Sequence, residues 1–197
     1  MTRRHACLAA FTPLGVQVIA HRGHHTRLPE NSLAAIDSAL RLGCHWVEID
    51  VRTTRDGVFV LHHDATHAGR PIEEWTLADL QRADPNIPTL DQALPLFKNK
   101  GSVYFDAKQI SASEIIAALG RHRLLGRAVV YGRPALLAEL VKQGHRQLAM
   151  PEAVSVEVIQ EHLTNLKPRI IAFDRRVTEE DRAVLAEIGR EQHHARD

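Results

Sequence analysis

The sequence predicts an α/β fold with a mainly parallel sheet, and it favours a closed barrel at least as strongly as an open sheet. Short apolar segments typical of strands alternate with amphipathic helical patterns along the 197 residues. Strands joined through helices lie parallel, and six or more such units favour a barrel. No glycine-rich phosphate loop follows the first strand, so the signature of nucleotide-binding α/β folds is missing.

The strand segments are short, apolar and bounded by polar or turn residues. They are, in order, VQVIA, WVEIDV, VFVL, SVYFDA, RAVVYG, RQLAM and RIIAFD. The helical segments repeat apolar residues at a spacing of three or four. They are SLAAIDSALRL, TLADLQRA, LDQALPLF, SEIIAALGRH, PALLAELVKQG, VSVEVIQEHLTNL and TEEDRAVLAEIG. Ser32 is a predicted N-cap of the first helix, and Gly43 lies just past its end.

Composition indicates an ordinary globular protein, and we expect a single domain over residues 1–197. The 25 basic and 24 acidic side chains give a net charge of +1, which favours neither nucleic acid nor an anionic membrane as a partner. No apolar run approaches the ~20 residues of a membrane span. Cys7 and Cys44 form no disulfide framework, and Thr12 and Pro13 interrupt the weakly apolar start. We therefore expect a cytoplasmic protein rather than a secreted one.

The segment WVEID carries two carboxylates in what reads as a buried strand. Side chains alternate along a strand, so Glu48 and Asp50 share one face while Val47 and Ile49 take the other. Two adjacent buried charges repel and resist desolvation, so at least one should have a raised pKa when no cation is present.

More polar residues follow other predicted strands, where α/β barrels place their working groups. The groups at these ends are His21, Arg22, His63, Asp106 and Lys108. Three carboxylates in one site need a cation, and oxygen ligands suit Mg²⁺, Ca²⁺ or Mn²⁺ better than Zn²⁺. Arginine and lysine suit a phosphate ester, and histidine moves protons near neutral pH. Together these residue types indicate a site for phosphodiester cleavage.

The order of these motifs resembles the glycerophosphodiester phosphodiesterase family. The family pattern is HRG, PENT, E-x-D, T-x-D-G, H-D, P-T-L and E-x-K. The matching segments here are His21–Gly23, Pro29–Ser32, Glu48 with Asp50, Thr54 with Asp56 and Gly57, His63–Asp64, Pro88–Leu90, and Asp106 with Lys108. A single motif of this kind is weak evidence for the family, but seven motifs in the same order are specific evidence for it.

The resemblance implies a TIM-type barrel of the phospholipase-C-like phosphodiesterase kind and a metal-dependent hydrolase that releases glycerol 3-phosphate and an alcohol. By position, Glu48, Asp50 and Asp106 would hold one divalent cation, Mg²⁺ or Ca²⁺, with Mn²⁺ as a further option. His21 and His63 would be the acid–base pair. Phosphate oxygens would be bound by Arg22 and Lys108, with Glu30 bracing the site.

Two departures from the family pattern change these expectations. Asp106 stands where the family usually has glutamate, so the carboxylate is one methylene shorter. No tryptophan follows Trp75, and neither a W-T-V-N-like strand nor a T-D-x-P-like end is present. We therefore expect a barrel that is incomplete at its C-terminal end. Either another copy of the chain covers the exposed edge, or the chain is a truncated product of reduced stability.

Two alternative functions stay open from the sequence. A degenerate barrel would bind phosphorylated ligands or a partner without turnover. A related phospholipase-type phosphodiesterase would act on lipid head groups, although the weak apolar N-terminus supports membrane contact poorly.

Overall fold

The strands and helices alternate as predicted in the computed structural model, which describes residues 17–173 together with 178, 179 and 182. The strands are β1 (Ile19–Ala20), β2 (Trp46–Thr53), β3 (Phe59–Leu61), β4 (Thr66–His67), β5 (Arg70–Pro71), β6 (Ser102–Ala107), β7 (Ala128–Tyr131), β8 (Glu152–Ala153) and β9 (Ala172–Phe173). The α-helices are α1 (Leu33–Arg41), α2 (Leu77–Ala83), α3 (Leu90–Ala93), α4 (Ala112–Arg121), α5 (Pro134–Lys142) and α6 (Val156–Asn165).

The main sheet has the parallel order β1-β2-β6-β7, and β3 pairs antiparallel with the distal part of β2. A parallel bridge from Val130 to Ala149 leads on to the β8–β9 pair. Over the described residues the sheet does not close on itself, in agreement with the expected incomplete barrel. That a second copy of the chain covers the open edge stays a prediction.

Helices pack on the outer face of the sheet through small and aliphatic side chains. The buried core contains Ile36, Ile49, Phe105, Ile115 and Leu119, each fully excluded from solvent. Because Val47, Ile49 and Val51 of β2 all point into this helix-facing core, the alternate residues of β2 point to the barrel interior. The polar row of the WVEID segment therefore faces inward.

Local sequence accounts for the helix starts. Ser32, the predicted N-cap of α1, accepts a hydrogen bond from the backbone N–H of Ala35. Thr89 and Ser111 form capping boxes with Gln92 and Glu114 at the starts of α3 and α4. These caps fix the residue at which each helix begins after its preceding loop.

Several predicted segments differ in the structure, among them RIIAFD, in which the strand is only Ala172–Phe173. RQLAM was predicted as a strand, but Arg146–Leu148 forms a 3₁₀ helix and only Ala149 makes a β-bridge. Its five residues do not distinguish one helical turn from a short strand. The first strand is shorter than VQVIA, since only Ile19–Ala20 pair with β2.

Two other predictions concern residues outside the described part. They are Cys7 with the N-terminal segment, and most of the helix predicted at TEEDRAVLAEIG. Among the helices of the described residues, none combines the length and the hydropathy needed to cross a bilayer.

Candidate active site

Strand β2 places two carboxylates in the barrel interior. Glu48 is 4% exposed and Asp50 is 1% exposed, because β2 lies between β1 and β6 in the sheet. The register of β2 with β6 puts Asp50 directly beside Asp106 and Glu48 beside Tyr104. The three acidic residues therefore lie on two neighbouring strands and not on three separate ones.

The loop between β1 and α1 holds Glu48 through its backbone. The N–H of Arg22 donates a 2.7 Å hydrogen bond to Oε2 of Glu48. Arg22 has a left-handed backbone with φ of 53°, followed by Gly23 at φ of 79°. A Cβ on Gly23 would lie 2.7 Å from the carbonyl carbon of Ala35, so the close approach of this loop to α1 requires glycine.

Asn31 holds Asp50 at two points. Its Nδ2 donates to Oδ2 of Asp50 at 2.9 Å, and its Oδ1 accepts from the Asp50 backbone N–H at 3.1 Å. Asn31 is buried and has a left-handed backbone with φ of 55°, a conformation that asparagine tolerates better than most residues. The motif PENS was recognised as a whole, and no role was predicted for this residue.

The side chain of Arg22 lies between Asp50 and Glu30. Its Nη1 donates to both carboxylate oxygens of Glu30, at 3.1 and 3.0 Å, so Glu30 braces the arginine. Its Nε lies 3.5 Å from Oδ2 of Asp50 and is buried without a hydrogen-bond partner in the described structure. A buried guanidinium N–H without a partner can take a further acceptor, such as a phosphate oxygen.

Strand β6 contributes the Asp106 carboxylate, and Lys108, just after the strand, contributes an ammonium group. Lys108 Nζ lies 2.6 Å from Oδ2 of Asp106 and 3.3 Å from Oδ1 of Asp50. Burial opposes protonation of Lys108, but its hydrogen bonds and charge attraction to Asp106 and Asp50 together outweigh this effect and raise the pKa of the lysine. Burial raises the pKa of Asp106, and the Lys108 hydrogen bond acts in the opposite direction.

The three carboxylates form a compact group. Oxygen atoms from Glu48, Asp50 and Asp106 all lie within 4.8 Å of one another. Burial, with the neighbouring Asp50 carboxylate, raises the pKa of Glu48 to about 8, which confirms the prediction that one of the paired carboxylates would be perturbed. A buried, oxygen-only donor set of this kind fits a hard divalent cation such as Mg²⁺, Ca²⁺ or Mn²⁺.

The two predicted histidines approach this group from different loops. Nε2 of His21 lies 3.9 Å from Oε2 of Glu48, and the ring is 66% exposed. Burial and the adjacent Arg22 lower the pKa of His21. His63 follows β3, and its Nδ1 lies 2.8 Å from Oδ1 of Asp64. This hydrogen bond lowers the pKa of Asp64, so the carboxylate accepts, Nδ1 of His63 carries the proton and Nε2 is left to accept.

A cavity of about 210 Å³ adjoins His63. Its lining includes Glu30, Asn31, His62 and Asp84. His62 also packs against the ring of His67, with ring centroids 5.6 Å apart. The cavity adjoins the candidate acid–base group, and the three carboxylates are not part of its lining.

Two tyrosines near the site were given no role there by the sequence. Tyr104 lies in the same register layer as Glu48, and burial together with Asp106 raises its pKa. Tyr131, in register with Asp106, donates a 2.8 Å hydrogen bond to Oε2 of Glu152. The lone tyrosines carry no recognisable motif, so only the strand register brings them to the site.

Comparison with known proteins gives the site its family context. The profile of the glycerophosphoryl diester phosphodiesterase family matches residues 21–188, which covers most of the chain. The glycerophosphodiester phosphodiesterase of Bacillus subtilis is 24% identical over 59% of this chain and 50% of its own length. Glycerophosphodiester phosphodiesterase 1 of Mus musculus is 35% identical over 47% of this chain and 34% of its own length. This chain thus spans half or less of these two relatives.

Solved structures share the fold. An Oleispira antarctica phosphodiesterase, in complex with the product sn-glycerol-3-phosphate, superposes with a TM-score of 0.69 at 23% identity, covering 80% of this chain and 74% of that one. A Galdieria sulphuraria protein described as a glycerophosphodiester phosphodiesterase gives a TM-score of 0.73 at 15% identity, over 88% of this chain and 81% of that one. The fold is therefore the predicted TIM-type α/β barrel, and the chain belongs to the glycerophosphoryl diester phosphodiesterase family.

Proposed function

We propose that this chain hydrolyses glycerophosphodiesters to glycerol 3-phosphate and an alcohol, and that residues 1–197 act as a single domain of this family. The observation that carries the proposal is the group of Glu48, Asp50 and Asp106, with oxygen atoms within 4.8 Å of one another and with cationic and histidine side chains around them. A merely structural polar core would have no need of three carboxylates together.

The three carboxylates would hold one divalent cation, Mg²⁺, Ca²⁺ or Mn²⁺. When bound, such an ion supplies Lewis-acid stabilisation of the negative charge that grows on the phosphoryl oxygens. Arg22 and Lys108 would bind the non-bridging phosphate oxygens. Glu30 holds the guanidinium in place through both carboxylate oxygens.

His21 and His63 would divide the proton transfers. In the first stage one histidine takes the proton of the glycerol 2-hydroxyl, whose oxygen attacks phosphorus. The other histidine gives a proton to the departing alcohol, and a cyclic phosphodiester forms. In the second stage water attacks the cyclic ester with the roles of the histidines exchanged, so both return to their starting protonation states. The Asp64 carboxylate fixes the His63 tautomer throughout.

The comparisons support this substrate class. The named relatives are glycerophosphodiester phosphodiesterases, and the structure of the Oleispira antarctica enzyme holds the product sn-glycerol-3-phosphate. The match to the family profile over residues 21–188 includes every residue proposed here for the site.

Purified protein should release glycerol 3-phosphate from glycerophosphocholine or glycerophosphoethanolamine when Mg²⁺, Ca²⁺ or Mn²⁺ is present, and EDTA should abolish the release. His63→Ala should lower kcat by roughly 10²- to 10⁴-fold without unfolding the chain. The matched control is His67→Ala, which changes a histidine near the cavity but outside the proposed chemistry. A folded protein that turns over none of several diesters with any of these metals contradicts the proposal.

One contact favours a second candidate function, in which the barrel binds phosphorylated ligands without turnover. Lys108 already neutralises the shorter Asp106 and also contacts Asp50, so an ammonium group stands where a cation would be needed. Thermal stabilisation by glycerol 3-phosphate without hydrolysis would support this candidate. Recovery of turnover in Asp106→Glu would instead indicate an attenuated enzyme.

A further inference from the structure

We propose that Arg52 is a positioning residue that fixes His63 relative to the carboxylate group; this inference rests on the proposed function. Arg52 follows Asp50 by two residues on β2, so the two side chains share the inward face with Glu48. The inward row of β2 thus runs from two carboxylates to a guanidinium group. Neither the family motifs nor the proposed proton transfers give this arginine a role.

Arg52 holds the backbone of His63 with two donors. Its Nε donates to the carbonyl oxygen of His63 at 3.0 Å, and its Nη2 donates to the same oxygen at 2.7 Å. Two converging hydrogen bonds from a planar, charged group restrain both the distance and the direction of the peptide carbonyl. The ring of His63 is restrained independently, by Asp64.

The contact matters because the β-ladder ends before His63. Strand β3 ends at Leu61, and the N–H of His62, which donates to the Asp50 carbonyl at 3.1 Å, makes the last backbone bond to β2. In the part of the chain that the structure describes, the His63 carbonyl accepts hydrogen bonds only from Arg52. Without the arginine, the His63 carbonyl would have no hydrogen-bond partner among the described residues.

The other end of the guanidinium reaches the loop after β6. Nη1 of Arg52 donates to Oε1 of Gln109 at 3.4 Å, and Nε2 of Gln109 donates to Oε2 of Glu73 at 2.7 Å. The Thr53 hydroxyl donates to the Gln109 carbonyl, and the Gln109 N–H donates to the Val51 carbonyl at 3.3 Å. Gln109 is therefore held on several sides, directly after Lys108.

This network connects two halves of the proposed site. The His63 loop and the loop that carries Lys108 come from different strands, β3 and β6, and Arg52 is bonded to both. A displacement of about 1 Å in a reacting group can lower a rate by on the order of 100-fold. The expected function of Arg52 is thus geometric, since each of its three nitrogens donates to a protein acceptor and it contributes no proton to the reaction.

The test compares Arg52→Gln and Arg52→Lys with the matched control Arg55→Gln, three residues along the same segment and exposed. Arg52→Gln should lower kcat roughly 10- to 100-fold while KM changes less than about threefold, because substrate-binding groups stay in place. Arg52→Lys keeps the positive charge and one donor nitrogen, so its kcat should fall between those of wild type and Arg52→Gln. Arg55→Gln should match wild type.

Hydrogen–deuterium exchange gives a readout that does not depend on turnover. Peptides that cover residues 62–65 should exchange faster in Arg52→Gln than in wild type, while peptides of the β2 core should be unchanged. If the wild-type protein shows no turnover, the proposed function fails, and this exchange measurement still tests whether Arg52 holds His63.

Three outcomes overturn the inference. They are wild-type kcat in Arg52→Gln, equal losses in Arg52→Gln and Arg55→Gln, and unchanged exchange at residues 62–65. Global unfolding of Arg52→Gln shifts the decision to Arg52→Lys, where a folded protein with wild-type kcat and wild-type exchange likewise overturns it.

Discussion

Strands β2 and β6 both bring carboxylates to the site, but β2 holds its pair mainly through amides, whereas β6 holds Asp106 through a lysine. Glu48 accepts from a backbone N–H, and Asp50 is clamped by the Asn31 amide. Asp106 is paired at 2.6 Å with Lys108 and is more open, with 15% of its side chain exposed. Amide donors orient a carboxylate and leave its charge, while an ammonium group cancels it. The β2 pair is therefore oriented mainly by amides, with Lys108 Nζ and Arg22 Nε also 3.3 and 3.5 Å from Asp50, and the β6 carboxylate is shared between a bound cation and its own lysine.

The largest expected difference is between the two metal-site variants Glu48→Gln and Asp106→Asn. Glu48→Gln should weaken Mn²⁺ binding by at least roughly 100-fold, beyond the 10- to 100-fold typical of losing an outer-shell partner. Asp106→Asn should weaken it less, on the order of tenfold, because Lys108 already offsets part of that charge. Isothermal titration calorimetry measures both. Equal losses of Mn²⁺ affinity in the two variants would show that the β2 and β6 carboxylates contribute equally to cation binding.

Removing the amide clamp should destabilise the fold itself. Asn31→Ala removes the amide partners of the buried Asp50 carboxylate and backbone N–H, which should lower the free energy of unfolding by about 2–4 kcal/mol. Urea denaturation measures the loss. Asn99→Ala is the matched control, since Asn99 is exposed and has a similar left-handed φ of 60°. A loss no larger than in the control would show that the clamp does not stabilise the site.

Lys108→Met tests the shared carboxylate on β6. Without the ammonium group, Asp106 and Asp50 lose a competitor for the cation, so Mn²⁺ affinity should rise several-fold while turnover falls because a phosphate contact is lost. Mn²⁺ titration and steady-state kinetics separate the two effects. Lys100→Met, which changes an exposed lysine before β6, serves as control. Reduced affinity would mean that Lys108 supports the cation site and does not compete with it.

The remaining expected effect is a pH dependence of stability in the metal-free protein. Glu48 has a folded pKa of about 8 against an ordinary value of 4.5, so the folded state holds its proton more tightly than the unfolded state. Its contribution to stability is complete below about pH 4.5 and is lost as pH rises through about 8. Between these values wild type should lose more stability than Glu48→Gln, as denaturation in EDTA at several pH values will show. The same dependence of unfolding free energy on pH in wild type and Glu48→Gln would contradict the raised pKa of Glu48.

The sequence pattern located the candidate carboxylates, histidines and phosphate-binding cations because each lies on a strand or within two residues of its end. Glu48 and Asp50 stand two apart on β2, so alternation alone places them together, and parallel register then brings Asp106 beside Asp50. That register depends on pairing over fifty residues of chain, so the strand-end pattern placed Asp106 in the same site as Asp50 without placing it directly beside Asp50. The position of each strand end was thus predictable, while the order of strands was not derivable from local pattern.

The supporting contacts were harder to predict. Asn31 acts through a left-handed backbone and a long-range amide clamp, and Arg52 through the carbonyl of a residue after the neighbouring strand. Neither contact has a hydrophobic periodicity or a spacing rule that marks it in a sequence. RQLAM shows the same limit for secondary structure, since a 3₁₀ turn and a short strand differ mainly in tertiary surroundings.

The central claim is that the buried carboxylates of β2 and β6 form a divalent-cation site. Its most direct test is calorimetric titration of the metal-free wild-type protein with Mn²⁺, Mg²⁺ and Ca²⁺, with Glu48→Gln alongside. The predicted result is one ion bound per chain, with a raised Tm equivalent to about 2.7 kcal/mol of stabilisation at a ligand concentration 100 times Kd. Folded wild-type protein that binds none of the three ions, or binds them as Glu48→Gln does, would contradict it.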